Sequence, residues 1–283
     1  MKILITGATS KLGLKLIDAL LNDGQDIYAL VHKEKINKPI KQIQADILDA
    51  NGLENFFSGI DLVIHLVALT HSHNQKNYFK VNVEGTKNVV LACKKNRVNR
   101  LIFVSTRAIG KEAGAYGYSK YLAEEEIKKS NINWTIIRPS EIYGLKGKEG
   151  IDKLIASCQK GGFIPIPGNG KYLLNPVYYQ DIVDFLIKIV LYPKIDKKIY
   201  TLTGPKDYQY KELVILLSKF FKSKVFIFKI PLFILKFFAY LKLFIFKDQI
   251  SRLLISKSSN ISEAVKDYDY QPMNIIKIYS NRK

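Results

Sequence analysis

The stretch KILITGATSKLG, residues 2–13, decides the fold. Its apolar start reads as a strand over 2–6, and an amphipathic helix opens at Leu12 and runs to residue 22. A strand, a tight turn and a helix start in immediate succession present backbone N–H groups to a pyrophosphate. Gly7 permits the turn, and Gly13 lets helix and strand approach closely. Ser10 holds the middle position of a G-x-x-G-x-x-G pattern, small enough for the turn and able to donate a hydrogen bond.

Outward from that turn, short apolar runs alternate with amphipathic stretches as far as residue 140. Strands are expected over 26–31, 41–45, 62–66, 100–105 and 133–138, and helices over 51–57, 77–95 and 116–129. Repeated βαβ units of this kind predict an α/β fold: a Rossmann-type doubly wound parallel sheet with its ligand crevice at the carboxyl ends of the strands. After Pro139 the character shifts. GGFIPIPGNG at 161–170 reads as a loop, and helices are expected over 180–191 and 210–221. Residues 1–140 are therefore expected to form a dinucleotide-binding domain, and 141–283 a smaller, mainly substrate-binding part. Residues 198–202 read as a strand that returns to the main sheet. The apolar run 225–246 is interrupted by Lys229, Lys236 and Lys242 and broken by Pro231, which argues against a membrane-spanning helix. It reads as a core or dimer-facing helix, or as a helix resting on an anionic membrane surface.

Forty-four Lys and Arg against twenty-five Asp and Glu give a formal charge of +19, which concentrates anionic ligands and surfaces near the protein. The lysines are scattered and no nucleic-acid module is visible, so nucleic acid is not an expected partner. Cys93 and Cys158 lie in no C-x-x-C or metal-like spacing, and His71 with His73 offers only an i, i+2 pair, so neither a disulfide framework nor a metal site is expected. The opening MKILITGATS lacks the apolar stretch and small-residue cleavage site of a signal peptide. A cytoplasmic location follows as the expectation, with contact to the inner face of a membrane open through 225–246.

A carboxylate at the end of the second strand would bind an adenosine ribose 2′-hydroxyl and repel a 2′-phosphate. This chain carries His32, Lys33 and Lys35 there, with Glu34 the sole acid, which tilts the expected cofactor from NAD toward NADP. Asp46 and Ile47, after the third strand, are placed to contact adenine, or Asp46 caps a helix.

YGYSK at 116–120 opens a predicted helix, and its i, i+4 spacing sets the Tyr116 phenol and the Lys120 ammonium on one face. A tyrosine is a poor acid or base at neutral pH unless nearby positive charge lowers its pKa, which Lys120 and an oxidised nicotinamide would do. Thr106, just past the fifth strand, offers a hydroxyl to hydrogen-bond the substrate oxygen while Tyr116 exchanges a proton. Y-x-x-x-K is unspecific by itself; what raises this one is its place ten residues after Thr106, beside the strand that borders the crevice.

With TGATSKLG at 6–13, DLVIHLVA at 61–68, VNVEGTKNVV at 81–90, LIFVSTRAIG at 101–110, YGYSK at 116–120, IIRPSEIYG at 136–144 and NPVYYQDIVDFL at 175–186, the chain resembles the extended short-chain dehydrogenase/reductase family, particularly its nucleotide-sugar epimerase, dehydratase and reductase branch. The resemblance covers nearly the whole chain, with the motifs in family order. It implies cofactor contacts at Gly7, Thr9, Ser10, Lys11, Leu12, Gly13, Asp46, Ile47, Leu66, Ala68, Tyr116, Lys120 and the Pro139 loop, and catalysis by Thr106, Tyr116 and Lys120, with Thr106 in place of the usual serine. His71, Arg107 and Ser140 are candidate substrate contacts. Asn82 would support the site from the next helix, Asp181 would cap a helix, and His65, Trp134 and Tyr143 read as core. The Thr106 to Tyr116 spacing is short for the family's sugar-processing members.

The function expected from this is an NAD(P)-dependent 4-keto reduction or 4-epimerisation of a nucleotide-activated sugar by a homodimer. The competing readings are a dinucleotide-binding scaffold without turnover and a reductase of a lipid-like substrate at a membrane surface.

Overall fold

A computed structural model describes residues 1–194, 197–241, 247–255 and 257–280. The chain begins with β1 (Lys2–Thr6), α1 (Lys11–Asn22), β2 (Asp26–Val31), β3 (Lys41–Gln44), α2 (Ala50–Glu54) and β4 (Leu62–His65). A continuous helical rod follows, made of α3 (Lys76–Tyr78), a π-helical stretch (Phe79–Glu84) and α4 (Gly85–Lys95). Then come β5 (Arg100–Val104), α5 (Gly114–Lys128), β6 (Asn133–Pro139), β7 (Ile142–Tyr143), α6 (Gly150–Lys160), β8 (Gly162–Pro167), β9 (Leu173–Leu174), β10 (Val177–Tyr178) and α7 (Tyr179–Leu191). The chain continues through β11 (Lys198–Leu202), β12 (Tyr208–Gln209), α8 (Tyr210–Phe220), β13 (Val225–Ile230), α9 (Leu232–Tyr240), α10 (Lys247–Leu254), α11 (Ser262–Tyr268) and α12 (Ile275–Ser280).

Two compact units emerge. The first comprises residues 1–138 and 183–200, the second 139–182 and 201–283. The main sheet has the strand order β11-β6-β5-β4-β1-β2-β3, and every pairing among β1 to β6 is parallel. Order reverses between β1 and β4, the topological switch point at which a doubly wound sheet opens a crevice. The strands are apolar on both faces because helices cover both: β1 is buried from Ile3 to Thr6, and all four residues of β4 are buried. α1 shows the complementary one-sided pattern, burying Gly13, Leu16, Ile17 and Leu20. Leu4, Val63, Leu101, Phe103 and Ile136 from the strands share one core with Val89, Cys93, Ala123 and Ile127 from α4 and α5.

The second unit has its own core, in which Tyr143, Leu154, Ile155, Leu174, Leu213, Leu217 and Ile278 meet. Here two expectations fail. GGFIPIPGNG is no loop: residues 162–167 form β8, paired in parallel with β13 so that Phe226 lies opposite Phe163 and Phe228 opposite Pro165. Prolines are tolerated because the sheet has two strands, so each keeps an unpaired edge. Nor does 225–246 form one helix: its first six residues are β13, Pro231 ends them, and α9 follows, while residues 242–246 lie outside the described part.

Candidate active site

At the switch point, β1 hands the chain to α1 through a turn that glycine alone fits. Gly7 has φ +71°, and a Cβ there would meet the Val67 nitrogen at 2.8 Å and the Leu66 carbonyl carbon at 2.9 Å. A Cβ on Gly13 would stand 2.7 Å from the Gly7 carbonyl oxygen. Ser10 caps α1, its hydroxyl oxygen accepting from the Gly13 amide at 3.0 Å, which leaves the hydroxyl proton to donate outward. Thr9, Ser10 and Lys11 are exposed and Leu12 half-buried. A helix start cannot satisfy its own first amides. The turn therefore has the bare backbone and the positive helix end that a pyrophosphate requires, and these residues fit a dinucleotide.

His32 and Lys33, at the carboxyl end of β2, are exposed. His32 Nε2 lies 3.5 Å from Asp46 Oδ2, which places Asp46 against the end of β2. Asp46 is not the cap of α2, which is Asp49; its Oδ1 accepts from the Leu48 amide at 2.9 Å and so shapes the turn after β3. Ile47 is buried in the core, with a terminal methyl where a Cβ on Gly85 would have to go, and its carbonyl accepts from Asn88. Leu66 and Ala68 follow β4, half-buried, with the Leu66 amide bonded to the Thr6 carbonyl at 3.0 Å.

Behind this turn runs a buried hydrogen-bond chain with a defined direction. The Thr86 hydroxyl spends its one proton on the Asn82 carbonyl at 2.6 Å, so toward His65 Nε2, 3.0 Å away, it can only accept. Nε2 therefore carries the imidazole proton, and Nδ1 accepts from the Thr6 hydroxyl at 2.5 Å. The ring is fully buried, stacks on Phe103 and stays neutral: burial, reinforced by the Lys120 charge, pulls its pKa down to about 3. Asn82 is also fully used. Its amide nitrogen donates to the Leu69 carbonyl and the Ser119 hydroxyl, its side-chain oxygen accepts from the Leu69 amide, and Ser119 in turn donates to the Tyr116 carbonyl at 2.7 Å. The residue before the phosphate turn, the loop after β4 and the first turn of α5 are thereby tied together.

α5 carries Tyr116 and Lys120 one turn apart, both buried. The Tyr116 ring meets the edge of buried Tyr78, whose hydroxyl accepts from the Ser72 amide at 2.7 Å. Lys120 is 1 % exposed; its ammonium donates to the Val104 carbonyl at 3.0 Å and sits 3.9 Å above the Phe103 ring. Burial pulls its pKa down to about 7, against the opposing charge of Glu124 one turn further on. Glu124 is itself buried and held by both arms of Arg138, at 2.9 and 2.5 Å. Two residues beyond Val104, the half-buried Thr106 hydroxyl accepts from the Ala108 amide at 3.1 Å. Thr106 thus lies two residues past the carbonyl that anchors Lys120, and Tyr116 lies one helical turn before Lys120; a hydroxyl, a phenol and an amine are residue types able to polarise a carbonyl and move a proton to or from its oxygen.

The other expected site residues are placed less tellingly. Arg107 is buried next to Thr106, and His71 is half-buried with its ring nitrogen 2.9 Å from the Thr70 hydroxyl. Pro139 and Ser140 belong to the second unit, where the Ser140 hydroxyl is taken by the Asn175 carbonyl. Asp181 lies in the first turn of α7 and accepts from the Met273 amide at 3.0 Å. Trp134 and Tyr143 are core residues of their respective units. The sequence reading passed over Thr6, Thr86, Ser119 and Tyr78, and over Ser105, whose buried hydroxyl has no partner among the described residues. The adjacent hydroxyls of Ser105 and Thr106 were the one visible signal.

Comparison with known proteins gives the family. The chain is 25% identical over 245 residues to N-acetyl-alpha-D-glucosaminyl-diphospho-ditrans,octacis-undecaprenol 4-epimerase of Escherichia coli O157:H7, a match covering 79% of this chain and 73% of that one. Its fold superposes on UDP-glucose 4-epimerase of Thermotoga maritima with a TM-score of 0.79 at 18% identity, covering 100% and 99% of the two chains. It superposes equally on the NAD-bound dTDP-glucose 4,6-dehydratase DesIV of Streptomyces venezuelae, with a TM-score of 0.80 at 17% identity and coverage of 100% and 95%. Residues 3–202 match the model of the NAD dependent epimerase/dehydratase family, and the chain therefore belongs to that family, as an enzyme of the extended short-chain dehydrogenase/reductase type.

Proposed function

We propose that this chain carries out 4-keto reduction or 4-epimerisation of a nucleotide-activated sugar, with Thr106, Tyr116 and Lys120 as its reacting groups. The observation that carries this reading is the burial of Tyr116 and Lys120 one turn apart, with Lys120 anchored to the last residue of β5. In the proposed reaction, the Thr106 hydroxyl orients the sugar oxygen, and the Tyr116 phenol gives that oxygen a proton or takes one from it. Lys120, close to neutrality in its pKa, stabilises the phenolate by its charge. The nicotinamide, when bound, supplies or accepts the hydride. Gly7, Ser10 and Gly13 would hold the pyrophosphate, and His32, Lys33 and Lys35 favour a 2′-phosphate, hence NADP over NAD. The working form is read as a homodimer in the cytoplasm.

Sugar nucleotides are supported as substrates by the UDP-glucose bound to the Thermotoga maritima neighbour. A second reading, a sugar diphosphate carried on a polyprenol, is favoured by the name of the Escherichia coli relative. Mass spectrometry of small molecules that copurify, followed by nicotinamide absorbance with a panel of keto-sugar nucleotides, tests both. A bound dinucleotide with turnover is the expected result; neither bound dinucleotide nor turnover on any sugar diphosphate would leave the scaffold reading instead.

A further inference from the structure

The second unit turns an apolar face outward. In the two-stranded sheet, Ile164 and Ile166 point into the core, while Phe163 on β8 and Phe226 and Phe228 on β13 point out, 78 %, 60 % and 43 % exposed. The Phe163 ring meets both of the others, with centroids 5.5 Å from Phe226 and 6.4 Å from Phe228. One residue after β13, α9 repeats the inversion. It buries Leu235 and Ala239 against Ile250 of α10 and exposes Phe233, Phe237 and Tyr240 at i, i+4 and i+7, one stripe of the helix. Apolar rings exposed in this number mark a contact surface rather than chance, since scattered single residues are what an ordinary surface shows.

Charge decides what the contact is. Between Glu212 and Asp248 the chain has seven lysines and no acid. Lys219, Lys222, Lys224, Lys229, Lys236 and Lys247 are all exposed, and among the described residues none of them is ion-paired. A second copy of this chain is a poor occupant, because an isologous contact would set these lysines against themselves with no carboxylate between them. A surface that takes aromatic rings and presents many fixed negative charges beside them is the interface of an anionic bilayer. α9 has nine residues, about 14 Å at 1.5 Å per residue, too short to cross and suited to lie in the headgroup plane. No described helix is long and apolar enough to cross a membrane.

We infer that the face formed by β8, β13 and α9 docks the protein peripherally on anionic lipid bilayers. This stands apart from the catalytic reading, since it is measured by binding alone. The test is flotation of the full chain with phosphatidylcholine vesicles with and without phosphatidylglycerol, together with thermal melts of each variant. Wild type floats with the anionic vesicles, and salt releases it as the Debye length shortens. Replacing two lysines together (Lys224→Gln, Lys236→Gln) lowers the partition coefficient about twenty-five-fold, at roughly fivefold per lysine. Phe233→Ser with Phe237→Ser lowers it about tenfold or more, while Tyr192→Ser, at an exposed ring in the first unit, changes nothing. The inference is overturned if wild type stays unbound to anionic vesicles at low salt. It is equally overturned if both sets of variants melt normally and float like wild type, or if they dissociate a dimer that binds no vesicle. Should the phenylalanine variant fail to fold, the lysine variant alone decides between these results.

Discussion

The two units break the usual rule of burial in opposite directions. The first hides polar groups: His65, Thr86, Asn82, Ser119, Lys120 and Glu124 are all inside. The second displays apolar ones on β8, β13 and α9. A buried polar group survives only when each of its donors and acceptors is matched, so the first region is rigid and intolerant. An exposed ring costs little to the fold whatever it does for binding. The two regions therefore differ in what a mutation should reveal: substitutions inside the first should cost activity or stability, and substitutions on the second should cost neither.

The sharpest way to break this contrast is Tyr116→Phe, which keeps the packing against Tyr78 and removes only the phenolic proton. It should lower kcat by about 10²- to 10⁴-fold with an unchanged melting temperature. An active variant would strip the α5 pair of its chemical role. Next comes acid. His65 has a folded pKa of about 3, below its ordinary 6.5, so the unfolded chain binds the extra proton between those values and stability falls as pH drops through that window. The loss attributable to this one group reaches on the order of 4 kcal/mol near pH 3. Urea unfolding across the window should show a shallower acid slope in His65→Gln than in wild type, at a neutral-pH cost of about 1–3 kcal/mol for the altered hydrogen bonds. Parallel slopes would mean that water reaches the ring.

Glu124→Gln leaves Arg138 facing a neutral partner and should cost about 3 kcal/mol in the same assay. It also removes the charge that holds up the Lys120 pKa, so the alkaline limb of a pH–activity profile, where Lys120 loses the charge that stabilises the phenolate, should move to lower pH. The smallest effect belongs to the other region: Phe233→Ser should shift unfolding free energy by no more than about 0.5 kcal/mol. A larger loss would make the Phe233 ring part of a core, and the contrast would collapse.

Much of the first region was legible because its signals are local. A strand, two glycines and a helix start occupy twelve consecutive residues, and Tyr116 and Lys120 share one helical turn. The hydrogen-bond chain was not legible, because Thr6 and His65 are 59 residues apart and only the pairing of β1 with β4 brings them together. β13 was misread for a different reason. Val225 and Ile227 face inward and Phe226 and Phe228 outward, so both faces are apolar and the period-two signature of a strand is erased. The π-helical stretch that carries Asn82 left no mark in composition, since it changes a hydrogen-bond register rather than a residue type.

β11 carries a consequence for how the chain is made. It is the outer neighbour of β6, yet it is translated some sixty residues later, after α6, β8 and α7 have left the ribosome. Until then β6 offers a bare row of backbone donors and acceptors, the kind of edge on which nascent chains aggregate. A fragment cut near residue 140 would keep that edge permanently, so the nucleotide-binding half can be produced alone only if residues 183–202 travel with it.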